Sequence, residues 1–152
     1  MNDTTIRVMR LAAQGLYCSQ ILMALALEAA GRANPELIRS LAGLAFGGGT
    51  GKGSCGVLTG GCCVLALYAG KAGAGEEEHP TLMPMLEEFG DWFAAQAQCG
   101  GAVSCEAIMG DNAPRQPQQK CGELVAQAFD KVVEMLVANG FDPASPGQAY
   151  EY

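Results

Sequence analysis

Gly53-Ser54-Cys55-Gly56-Val57-Leu58-Thr59-Gly60-Gly61-Cys62-Cys63-Val64-Leu65-Ala66-Leu67-Tyr68-Ala69-Gly70 contains no charged side chain. Its eighteen positions just reach the length of about 18 at which a membrane-spanning helix becomes a candidate. Gly53, Gly56, Gly60 and Gly61, together with Ser54 and Thr59, make it only weakly apolar, which favours a helix buried inside a soluble protein. Ser54 is placed as the N-cap and the helix is expected from Cys55 to about Lys71. A charge-free helix needs apolar partners on all sides, so the flanking sequence must supply them.

It does. Ile6 to Ala29 is apolar at Val8, Met9, Leu11, Leu16, Ile21, Leu22, Leu25 and Leu27, is rich in helix formers, and reads as one long buried helix stopped by Gly31. Pro35, capped by Asn34, opens a second helix to about Phe46. Gly47 to Gly53 is a glycine-rich turn, and Gly73 to Pro80 is an acidic connection. Thr81 to Gln98 is an amphipathic helix with Phe89, Trp92 and Phe93; Val103 to Met109 is a short helical segment; Asp111 to Gln119 is a loop. Between Lys120 and Asn139, apolar Leu124, Val125, Ala128, Val132, Met135 and Leu136 recur at helical steps, and Gly140 ends the run. No strand-like alternation is present. The expected fold is all-α: one helical bundle over residues 1–142, with about five to six helices around a glycine-rich central helix, and a loose tail over 143–152.

Composition narrows the function. The 152 residues are 49% hydrophobic and 16% charged with a net charge of −7, so one core is feasible and phosphate-backbone binding is disfavoured. The expectation is no nucleic-acid partner and no membrane insertion. Met1 to Ile6 has no basic segment ahead of an apolar core, which points to the cytoplasm. Seven cysteines, an odd number without an export signal, disfavour a complete disulfide framework.

Several motifs fail on inspection. Gly51-Lys52 suggests a phosphate loop, but Phe46 stands at its first glycine position and Gly53 at its Ser/Thr position. No C-x-x-C occurs, which removes the thioredoxin-like motif and the usual paired zinc ligands. The single histidine, His79, reads as a solvated loop residue. Cys55 is different: at a helix start, with Lys52 three residues earlier, its thiolate is expected to be stabilised, although a plain buried thiol is equally compatible with its position. Cys62 lies two turns further along nearly the same face, and Cys63 is rotated from it by about 100°; both are expected in the core.

Cys18, the run Cys55-Gly56-Val57-Leu58-Thr59-Gly60, the run Ser104-Cys105-Glu106-Ala107-Ile108-Met109-Gly110, and Cys121 together resemble the C-GCAxxG-C-C family, whose members are of about this length and are assigned redox activity from their cysteines. The resemblance extends from roughly Leu16 to Val133; Val57 stands where the family has alanine, and Cys62, Cys63 and Cys99 lie outside the pattern. It implies that Cys18, Cys55, Cys105 and Cys121 form the site. Three functions stay open on this footing. The thiols can act in thiol–disulfide exchange or electron transfer with a redox partner protein or small thiol, which makes the chain a thiol–disulfide oxidoreductase without a required cofactor. They can hold zinc or an iron–sulfur cluster as four thiolates. They can fill the core of a structural or interaction protein. Gly56, Gly60 and Gly61 would suit a homodimer as well as an intrachain neighbour.

Overall fold

The computed structural model describes residues 2–110 and 119–146. The expected loop at 111–119, except for its last residue, and most of the expected tail, 147–152, lie outside the described residues. The order is α1 (Asp3–Ala13), α2 (Cys18–Ala29), α3 (Pro35–Leu41), a 3-10 turn (Ala42–Leu44), α4 (Ala45–Gly48), α5 (Gly56–Ala69), α6 (Leu82–Ala97), α7 (Cys105–Met109) and α8 (Gln119–Ala138). Among the described residues no strand occurs, only an isolated antiparallel bridge between Ser54 and Ser104. The fold is an all-α single domain, and no described helix is long and apolar enough to cross a membrane.

The expected helix over Ile6 to Ala29 is two helices. Gly15 adopts φ +88, a conformation that a helix cannot contain, and the chain turns there. Tyr17 then donates its backbone N–H to the Gln20 side chain at 3.1 Å, which satisfies one of the free groups at the start of α2. The turn lets α1 fold back beside α2, where Arg7 and Arg10 pair with Glu28 at 3.3 and 2.8 Å instead of facing solvent alone. Thr4 donates to Asp130 at 2.7 Å and ties α1 to α8. The second expected helix also stops short, at Leu41, with Asn34 capping as anticipated by accepting from the Leu37 N–H. Helices α6 and α8 fall within one residue of their expected limits at each end.

Helix α5 packs against α2, α6 and α8. Leu22, Leu25, Val57, Leu65, Phe89 and Phe93 are fully buried between them, each contributing about 1.5–3 kcal/mol by leaving water. Glycines set the approach of the helices. A Cβ on Gly60 would lie 2.9 Å from the Ser19 Cα on α2, and one on Gly61 would lie 2.4 Å from the Phe89 ring on α6. The same region of α2 carries a buried polar tie, since Ser19 is fully buried and donates to the Leu41 carbonyl at 2.7 Å. Ser19→Ala is expected to lower stability by about 1–2 kcal/mol, read as a lower urea midpoint with an unchanged slope; an unchanged midpoint would show that this bond contributes nothing net.

The far end of the bundle is closed by Tyr68, whose hydroxyl donates to the Pro143 carbonyl, and by Phe141. His79 is partly buried there, bonded to Thr81 at 2.7 Å and set edge-on to the Phe141 ring at 4.8 Å. It is therefore a packed residue just ahead of α6, not the solvated histidine the acidic connection suggested.

Candidate functional site

All four cysteines of the pattern occupy the start of a helix. Cys18 is the first residue of α2, Cys55 is the N-cap of α5, Cys105 is the first residue of α7, and Cys121 is the third residue of α8. The anticipated cap at Ser54 is thus displaced by one residue. Ser54 instead forms the bridge with Ser104, flanked by Cys55 N–H to Val103 O at 2.7 Å and Cys105 N–H to Gly53 O at 3.1 Å. Two neighbouring cysteines are fixed in register by this short pairing. Ser104 caps α7 by accepting from the Ala107 N–H at 3.1 Å. Lys120, just ahead of Cys121, donates to the Ile108 carbonyl at 3.2 Å, which joins the start of α8 to the end of α7.

The glycine run holds this arrangement from below. Phe46 and Gly47 both have left-handed backbone, at φ 55, ψ 41 and φ 61, ψ 45. Gly47 must be glycine for a second reason: a Cβ there would stand 2.5 Å from the Gly53 carbonyl oxygen. Phe46 has no such freedom, and a left-handed non-glycine residue costs on the order of 1–3 kcal/mol. Its ring gains an edge-on contact with Tyr17 at 5.1 Å.

Between these elements lies a cavity of about 90 Å³ lined by Cys18, Cys55, Cys105 and Cys121. Tyr17, Phe46 and Met109 line it too, with aliphatic side chains of α1, α2 and α8 making up most of the remaining wall. Cys55 and Cys105 are buried, and Cys18 and Cys121 are half-buried. The Cys18 sulfur packs on Gly56, where a Cβ would come within 2.8 Å of it. Cys121 Sγ donates to Met109 Sδ at 2.9 Å. Cys62, Cys63 and Cys99 are not part of the lining; Cys99 bonds to the Ala97 and Ala107 carbonyls instead.

The family model described as "Putative redox-active protein (C_GCAxxG_C_C)" matches residues 16–135. The chain belongs to the C_GCAxxG_C_C family. No curated protein and no solved structure matches it. In this C_GCAxxG_C_C protein the pattern of four separated cysteines therefore corresponds to one place in space, reached from four helices. Tyr17, Phe46 and Met109 had no assigned role in the sequence. Met109 lies inside the motif around Cys105 and Phe46 directly precedes the glycine run, so position was the only available signal.

Cys18, Cys55 and Cys105 are free thiols, and Cys121 is a thiol bonded to Met109. Burial pushes Cys18 up to about 12, with the charges of Cys55 and Cys121 adding to the effect. Burial likewise pushes Cys55 up to about 11, although the N–H groups of Val57 and Leu58 act against it. Cys105 is also raised, by burial and then by Cys121. Of the two readings of Cys55, a stabilised thiolate and a plain buried thiol, the second is favoured: the helix start does favour the anion, but desolvation is the larger effect. Lys52 is exposed and is not among the groups that act on Cys55.

A raised thiol value makes stability depend on pH. Between the ordinary value of 9.0 and about 12, the folded state keeps protons on Cys18 and Cys55 that the unfolded chain releases. Their contribution is therefore complete below pH 9 and lost as pH rises towards 12. Urea midpoints under reductant are expected to fall across that window, and to fall less in a Cys18→Ala, Cys55→Ala variant. Equal slopes in the two proteins would contradict the burial of these thiols.

Four thiols are a suitable donor set in type for zinc or an iron–sulfur cluster. Their placement does not fit: among the described residues, no group of three or more His, Cys, Asp or Glu side chains is positioned to hold a metal ion.

Proposed function

We propose that this protein carries out thiol–disulfide exchange, with two of Cys18, Cys55, Cys105 and Cys121 cycling between dithiol and disulfide. The supporting observation is the convergence of all four on one cavity from four different helices. Cys55 is the attacking thiol. The N–H groups of Val57 and Leu58 are directed to its sulfur and stabilise the charge that forms when the proton leaves. The resulting thiolate attacks one sulfur of an oxidised partner and expels the other as a thiol, leaving a mixed disulfide on Cys55. A second cavity thiol then attacks the Cys55 sulfur, closes an internal disulfide and releases the rest of the partner as a thiol. Cys18 is the favoured resolving thiol because its sulfur packs on Gly56, the residue after Cys55; Cys105 and Cys121 line the same space.

Two electrons pass from the two cysteines to the partner, and the product disulfide is uncharged. An apolar wall suits that product, because it buries no ion. A reducing cytoplasm would return the protein to its dithiol form.

The test is a thiol count in denaturant, before and after oxidation. The expected result is a loss of two of the seven thiols for each disulfide formed, restored by reductant. An oxidation without reversible loss would reject the proposal, as would an equal loss in a protein with serine at all four cavity positions.

A further inference from the structure

We infer that the molecule served by the cavity is a small, uncharged organic disulfide, with its thiol as the product, and not a protein disulfide or glutathione disulfide. This rests on the thiol-exchange proposal and adds its substrate class. Access is the first consideration. Exchange needs the attacking sulfur to approach along the axis of the bond it breaks, so the partner's sulfurs must come up to Cys55 itself. Cys55 and Cys105 are each only 5% exposed. A disulfide anchored in another protein would bring its own backbone against the surface before its sulfurs reached so buried a thiol.

Size and charge give the same answer. The cavity is about 90 Å³, which admits the sulfur–sulfur bond and a short arm of a small molecule but not a second peptide chain. Among the described residues that line it, none carries a charge; Val8, Leu16, Ile21 and Val125 are typical of the wall. An ionised group entering such a space loses its water without gaining a partner. The anionic arms of glutathione disulfide meet no cation among the described lining residues, and the chain's net charge of −7 opposes their approach from solution. A cationic disulfide is drawn towards the acidic surface and then faces the same desolvation inside. Neutral disulfides avoid both penalties.

The reaction balances without another reactant. One small disulfide and two cysteine thiols give one protein disulfide and two small thiols; the two electrons and two protons lost by the cysteines appear on the released thiols.

The experiment compares three small disulfides of similar size on the reduced full-length protein: bis(2-hydroxyethyl) disulfide, cationic cystamine and anionic 3,3′-dithiodipropionate, with glutathione disulfide as a fourth. The readout is the rate at which a disulfide joining two of the four cavity cysteines appears in peptide digests, relative to the rate for the same protein unfolded in urea. The neutral reagent is expected to exceed each charged one by at least about tenfold after that normalisation. Parity among the four, or a lead for cystamine or glutathione disulfide, would overturn the inference while leaving thiol exchange intact. If no reagent forms a disulfide within the four, the underlying thiol-exchange proposal fails instead.

Discussion

Gly60→Val is expected to unfold most of the population at room temperature, or to leave a protein weakened by at least about 3 kcal/mol. Even the Cβ of alanine would stand 2.9 Å from the Ser19 Cα and 3.2 Å from the Ser19 carbonyl oxygen, and both of those are backbone atoms of α2. A flexible side chain can rotate aside; a helix backbone can only move as a unit. Moving α2 away from α5 would weaken the Ser19–Leu41 bond and open the packing around fully buried Leu22 and Leu25. It would also carry Cys18 away from Gly56, so Gly60→Ala, the milder change, should keep the fold and slow internal disulfide closure. Urea unfolding and the closure rate together check this. A Gly60→Val protein with parental stability would mean that α2 and α5 are not packed as closely as described.

The second large effect concerns pH. With Cys55 pushed up to about 11, only about one molecule in ten thousand carries its thiolate at neutral pH. The rate of mixed-disulfide formation is therefore expected to climb about tenfold per pH unit from 7 to near 10, and to level off only as pH approaches the Cys55 value. Cys55→Ser should abolish this rise, whereas Cys18→Ser should leave the first step and block internal closure. Initial rates with a neutral small disulfide give the profile before alkaline unfolding intervenes. A rate already flat between pH 7 and 9 would show that the attacking sulfur ionises near neutrality and is not the Cys55 described here.

The helical class was readable because apolar spacing and composition report it directly. Leu124, Val125, Ala128, Val132, Met135 and Leu136 repeat at steps that suit only a helix, and α8 spans them. The break between α1 and α2 was not readable in the same way. A glycine within a helical run costs only about 1 kcal/mol against alanine and is often tolerated, so Gly15 in apolar surroundings does not reveal that the chain turns. What makes it turn is tertiary: Arg7 and Arg10 reach Glu28, and Thr4 reaches Asp130, only when α1 folds back.

The site follows the same division. The four cysteines could be picked out from their pattern, but the pattern carries no distances, and their meeting depends on where four helices begin. The ionisation of Cys55 stayed open in the sequence because its helix position is local while its burial is not. Local geometry supplies the N–H groups of Val57 and Leu58; the walls that strip away water come from α1, α2, α7 and α8. Phe46 is a further case. Its left-handed backbone is set by the folding of Gly47 against Gly53, a contact with no sequence signature beyond the glycines themselves.

Peptide mapping of disulfides in the oxidised full-length protein tests the central claim most directly, because a sulfur–sulfur bond reports which thiols can meet. The expected result is that every intramolecular bond joins two members of the set Cys18, Cys55, Cys105 and Cys121, with Cys62, Cys63 and Cys99 recovered as free thiols. Bonds running predominantly to Cys62, Cys63 or Cys99, with the four cavity cysteines left unpaired, would contradict it.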